Sequence, residues 1–99
     1  MYNAMIRYKF KEGMTNDGVT IWKNVVYQTI INHPGFMRVQ AYSRPVVNEF
    51  IAIGSWQDKK YAEEYMRTGV FKLLMENIKE YLAEDPVSGE YFLEAFEEA

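Results

Sequence analysis

The sequence has no cysteine, a single histidine and three prolines among its 99 residues. Without cysteine there are no disulfides, thiolate nucleophiles, cysteine-bound zinc sites or iron–sulfur clusters. One histidine leaves a His-based metal site without partners, and Glu63-Glu64 and Glu97-Glu98 read as solvated charge, so no metal site is expected. A glycine-rich phosphate loop, a dinucleotide fingerprint and a nucleophile elbow are also missing, which removes support for flavin or nicotinamide. Apolar runs such as Phe50-Ile51-Ala52-Ile53 fall far short of the roughly 20 residues that cross a bilayer. Met1-Tyr2-Asn3-Ala4 lacks the charged-then-apolar layout of a secretory signal. A cytoplasmic protein with no membrane partner is the expectation.

Basic residues are absent after Lys79. Eleven Lys/Arg and seven Asp/Glu occupy residues 1–79, whereas residues 80–99 hold seven acids and no base. The net charge of −3 argues against a nucleic-acid partner. Tyr91, Phe92, Leu93 and Phe96 interrupt the acidic stretch and favour burial, so this segment is expected to pair with basic residues of its own or a neighbouring subunit. Aromatic residues are plentiful at 16%, half of them Tyr. Rings with a polar tip suit a pocket or an interface.

Residues 2–10 alternate, with Tyr2, Ala4, Ile6, Tyr8 and Phe10 on one face and Asn3, Met5, Arg7 and Lys9 on the other, which predicts a strand. Asn16 or Asp17 is placed to cap a helix whose stripe is Val19, Trp22, Val26, Ile30 and His33. His33-Pro34-Gly35 stops it. Alternation resumes over residues 36–43, a turn at 44–48 follows, and residues 49–56 read as a third strand. Asp58 is placed to cap a helix carrying Tyr61, Ala62, Tyr65 and Met66, which Thr68-Gly69 breaks. Helical spacing returns with Val70, Phe71, Leu74, Ile78, Tyr81 and Leu82. A turn over 85–89 and a strand over 90–96 complete a β-α-β-β-α-β order. The expected architecture is α+β and ferredoxin-like, one domain over residues 1–99, with a four-stranded antiparallel sheet and a split second helix.

Helices cover one face of such a sheet, and the sets Tyr2/Ile6/Tyr8 and Met37/Val39/Ala41 suit that face. The other carries Met5, Phe36 and Tyr42 among Arg7, Arg38 and Gln40. That mixture is too apolar for solvent and too polar for a monomer core, so two sheets packed face to face in a homodimer are expected.

Lys11-Glu12-Gly13 after the first strand, Trp22 in the helix, Pro34-Gly35-Phe36, Ser55-Trp56 closing a strand and Gly69-Val70-Phe71-Lys72 in a broken helix together resemble the antibiotic biosynthesis monooxygenase domain, of the dimeric α/β-barrel superfamily. The resemblance spans roughly residues 2–96. It implies a pocket between the sheet and the split helix. Cofactor-free members of that family oxidise electron-rich phenols or hydroquinones with O₂, the deprotonated substrate itself supplying the electron, so the protein contributes orientation and exclusion of water. A small aromatic partner and no cofactor follow from this reading. Non-enzymatic binding of a small molecule on the same fold is the alternative. Haem-degrading members carry a proximal His and a first-strand Asn where this chain has Met75 and Ile6, so haem is disfavoured.

Tyr65 lies nine residues after Trp56, and two readings of it stand: a catalytic phenol that holds or helps deprotonate a substrate, and a ring packed on the sheet. Tyr8, Trp56, Phe71 and Met75 are the expected substrate-binding residues around it. His33 reads as a residue at a helix C-terminus, facing the last carbonyls, more than as a base. Arg7 and Arg38 are expected to meet acids of the C-terminal segment.

Overall fold

Alternation over the first residues produces strand β1 (Tyr2–Lys9) in the computed structural model, which describes residues 1–99. Strands β2 (Phe36–Arg44), β3 (Glu49–Trp56) and β4 (Val87–Leu93) join it in one antiparallel sheet of order β2-β3-β1-β4. The first helical segment begins as α1 (Thr15–Trp22), widens to a π-helical turn over Lys23–Tyr27 and closes as α2 (Gln28–Ile30). The second is split into α3 (Lys59–Met66) and α4 (Val70–Ile78) at Gly69, whose φ of +83° only glycine adopts at no steric cost. The expected α+β, βαββαβ architecture with its divided second helix is therefore present.

Both helical segments pack on one side of the sheet. Trp22, Val26 and Ile30 come from the first, Tyr65, Leu74 and Ile78 from the second, and all join Tyr8, Phe50 and Trp56 in one buried cluster. Leu74 and Ile78 are wholly buried, each contributing about 1.5–3 kcal/mol of transfer free energy. Gly18 lets α1 approach the first strand, since a Cβ there would collide with the Phe10 ring.

Details depart from the sequence reading for local reasons. The register shifts between Phe36 and Arg38, so that Phe36 faces Trp56 on the helix side while Met37 stands out at 52% exposure. This one-residue bulge reverses the expected places of Phe36 and Met37; beyond it, Val39 and Ala41 return to the helix side. The last strand starts at Val87, not residue 90, because Gly89 (φ +90°) belongs to a bulge against β1 and not to a turn. It also ends earlier, at Leu93. The first helical segment stops at Ile30, and neither Asn16, Asp17 nor Asp58 makes a side-chain cap bond, although Asp58 does occupy the N-cap position. The acidic C-terminal segment meets arginines as expected, through Arg7 Nε–Glu90 Oε1 at 3.1 Å and Arg38 Nη1–Glu97 Oε1 at 3.8 Å.

Candidate functional site

Side chains on the helix face of the sheet do not close completely against the split helix. Ala4, Ala52 and Gly54 are too small to fill the space beneath α1 and α3, and a cavity of about 80 Å³ remains. Apart from Gly54, every residue lining it is hydrophobic or aromatic. Met66 lines it and is 45% exposed, so the cavity reaches the surface beside α3. Of the expected site residues, Tyr8, Trp56, Tyr65 and Phe71 all line this cavity. Met75 does not. It packs half-buried on the outside of the core cluster.

The two phenols in the cavity are held differently. Tyr8 comes from β1, where its hydroxyl oxygen accepts a bond from Trp22 Nε1 at 3.2 Å. Tyr65 comes from α3 and reaches across to the first helical segment. Its hydroxyl donates to the Val26 carbonyl at 3.1 Å and lies 2.6 Å from Thr29 Oγ1, which itself reaches the same carbonyl at 3.0 Å. The π-helical turn over Lys23–Tyr27 explains why these groups meet. A π turn widens the helix and disturbs the ordinary i→i−4 ladder, and here two hydroxyls from Thr29 and Tyr65 converge on the Val26 carbonyl. Burial pushes the pKa of both phenols upward; for Tyr8 the Trp22 bond opposes this and the neighbouring Tyr65 adds to it, and for Tyr65 the Thr29 bond opposes it. Both are therefore neutral hydrogen-bonding groups at pH 7, and neither is a base.

His33 emerges as part of the site, which its expected capping role did not foresee. Its ring meets Tyr65 edge-on at 5.3 Å and Trp56 at 5.7 Å, and Nδ1–H donates to the Pro34 carbonyl at 3.2 Å. Only a protonated Nδ1 can donate to a carbonyl, so of the two neutral tautomers this contact fits the one whose Nε2 carries the lone pair. A second, more polar cleft of about 240 Å³ is lined by Thr29, His33, Thr68, Gly69 and Leu73, and it shares Tyr65 and Val70 with the inner cavity. Tyr65 is thus the wall between an apolar inner space and a more polar outer cleft. Thr29 also escaped the sequence reading. The available signal was its place four residues before His33, one helical turn away on the same face.

Haem does not fit this arrangement. The cavity is far smaller than a porphyrin, and Met75 lies outside its lining. No three His, Asp or Glu side chains come together in a way that would hold a metal ion, and no helix is long and apolar enough to cross a membrane.

No protein-family model matches the chain, and no curated protein matches it. Solved structures do. A monooxygenase from the gene ActVA-Orf6 of Streptomyces coelicolor, in complex with nanaomycin D, superimposes with a TM-score of 0.84 at 12% identity, covering 99% of this chain and 90% of that one. SnoaB, a cofactor-independent oxygenase from Streptomyces nogalater, gives 0.79 at 15% identity, over 97% and 94% of the two chains. A protein of Nitrosomonas europaea described as an antibiotic biosynthesis monooxygenase gives 0.80 at 16% identity, over 97% and 100%. Identities this low carry the fold and leave the chemistry open. In its fold, the chain is similar throughout to the antibiotic biosynthesis monooxygenase domain, as its sequence pattern led one to expect.

Proposed function

We propose that the protein is a cofactor-independent monooxygenase that oxidises a small aromatic, quinol-like molecule with O₂ and works as a homodimer. The observation that carries this reading is the pairing of an almost wholly apolar cavity with a polar cleft across the Tyr65 ring. A planar substrate lies in the cleft, with its ring against Tyr65 and beside His33, while Trp56 lines the inner cavity behind Tyr65. His33 Nε2 takes the phenolic proton, since the buried phenols cannot. Tyr65 acts through its ring and its fixed hydroxyl, while Tyr8 and Phe71 shape the cavity beyond. Met75 has no part in contacting the substrate. For a hydroquinol the balance is complete without a cofactor: one oxygen atom becomes a new ring hydroxyl, the ring is oxidised to the quinone, and the second oxygen leaves as water with two hydrogens from the substrate. Likeness to SnoaB and to the nanaomycin-bound monooxygenase supports the class of chemistry.

Dimerisation is supported by the open sheet face. Ile51, Ile53, Tyr42 and Phe92 share it by register with the Arg7–Glu90 and Arg38–Glu97 pairs, and Tyr42 and Phe92 are exposed, whereas Met5 on the same face is already buried within the chain. The chain exposes 6593 Å², against roughly 5,900 Å² expected of a monomer of this mass. Leu93 and Phe96 are 70% and 79% exposed, and so are available to a second copy.

Oxygen uptake with a panel of hydroquinones tests the reading. Wild type consumes O₂ with at least one of them, and Tyr65→Phe and His33→Gln each slow it. If wild type consumes none, the same pocket is a binding site without turnover, the reading favoured by the lack of any carboxylate in the cavity. Light scattering tests the dimer, and a monomer at tens of micromolar overturns it.

A further inference from the structure

The inner cavity poses a question of size. At about 80 Å³ it has about half the volume of the engineered protein void of roughly 150 Å³ that takes up benzene. No aromatic ring fits within it as it stands. Water suits it no better. The Tyr65 hydroxyl is held by Val26 and Thr29, and the Tyr8 oxygen already accepts from Trp22. A water molecule there finds the one remaining Tyr8 proton and no carboxylate or side-chain amide to receive its own, and a buried water needs about two to four polar partners. The space is too small for the substrate, too apolar for solvent, and still open beside Met66.

We infer that this cavity is a binding site for a small apolar gas, and that its physiological occupant is O₂, held on the far side of Tyr65 from the aromatic substrate. The site itself rests on geometry alone; the identity of the gas rests on the proposed oxygenase reading. The arrangement separates the two reactants by one layer of side chains. Ala4, Ala52 and Gly54, whose small size leaves the cavity, are then specificity-determining positions. Larger residues would fill it.

Xenon, which probes apolar cavities of this size without chemistry, provides the test. Crystals of the full chain under xenon pressure are expected to show a peak among Val26, Ile30, Ala52 and Trp56. The peak is lost in Ala52→Leu and reduced in Gly54→Ala, the milder variant that keeps the test valid should the larger side chain disturb folding. Dissolved O₂, through its paramagnetism, is expected to relax the methyl protons of Val26 and Ile30 several-fold more than those of equally buried Leu82, which does not line the cavity. No xenon peak in wild type, a peak undiminished in both variants, or equal relaxation at Val26 and Leu82 overturns the inference. Neither measurement needs substrate, so a failure here leaves hydroquinol oxidation to be judged separately. Xenon binding without any hydroquinol oxidation would keep the gas site and sink the oxygenase.

Discussion

Replacing Gly54 by Ala probes the cavity from its floor. An added Cβ would lie 3.2 Å from Trp56 Nε1 and 3.8 Å from Ile30 Cδ1, in a backbone conformation that alanine adopts without strain. Two effects favour the substitution. Removing a glycine from the unfolded chain stabilises by about 0.4–1 kcal/mol, and burying one methyl contributes about 0.8 kcal/mol more. Against them stands the close approach to the indole, which must retreat by a few tenths of an ångström. Trp56 borders the cavity and so has somewhere to go. The net expectation is about 1 kcal/mol of stabilisation, or a rise in Tm of about 4–8 °C for a domain of this size. Thermal and urea unfolding should be compared at one protein concentration, because dimerisation shifts both. Oxygen consumption should fall at the same time, since the methyl takes up space the reaction needs. A lowered Tm would mean that the indole is pinned by Phe36, Tyr65 and His33 and that the cavity offers no slack. A raised Tm with oxygen uptake unchanged would remove the cavity from the reaction.

Three further outcomes follow from the packing and the buried phenols. Gly18→Ala drives a methyl into the Phe10 ring; overpacking costs about 1–3 kcal/mol against a helix-propensity gain of about 1 kcal/mol, so urea midpoints should fall, and adding Phe10→Leu should restore part of the loss. Trp22→Phe leaves the buried Tyr8 hydroxyl without its donor, an expected loss of about 1–3 kcal/mol; an unchanged midpoint would mean that Tyr8 finds another partner. Alkaline pH should unfold the protein early. Burial raises the pKa of both Tyr8 and Tyr65, so the folded state keeps protons that the unfolded chain releases near pH 10, and stability is intact below about pH 10 and declines above it by up to about 1.4 kcal/mol per pH unit for each phenol. Urea midpoints measured from neutral pH upward check the sign, and Tyr8→Phe should flatten the decline.

Much of the fold was legible because its signals are local. The alternation of Tyr2, Ala4, Ile6 and Tyr8, the stripe of Val19, Trp22, Val26 and Ile30, and the break at Gly69 each follow from the geometry of a few neighbouring residues, and each appears in place. The bulges were not legible. An extra residue at Met37 changes no composition, and Gly89 looks the same in a bulge as in a turn; only the partner strand tells them apart. The site divides along the same line. Tyr8 and Trp56 could be placed on the cavity wall because they sit on the helix-facing positions of strands, Tyr65 and Phe71 because the resemblance implied a pocket beside the split helix. Met75 came with that same resemblance, but its half-buried place on α4 lies around the helix from the cavity. His33 and Thr29 were passed over because their importance is tertiary. Nothing in a helix-ending His-Pro-Gly announces that its ring will lie against a tyrosine thirty-two residues later, and nothing in Thr29 announces that a π turn will aim its hydroxyl at that same tyrosine. The residues that complete the site are thus the ones that hold Tyr65 in place. A phenol fixed by a helix carbonyl, a threonine and a histidine edge is a rigid partition, and two compartments of different polarity require such a partition between them.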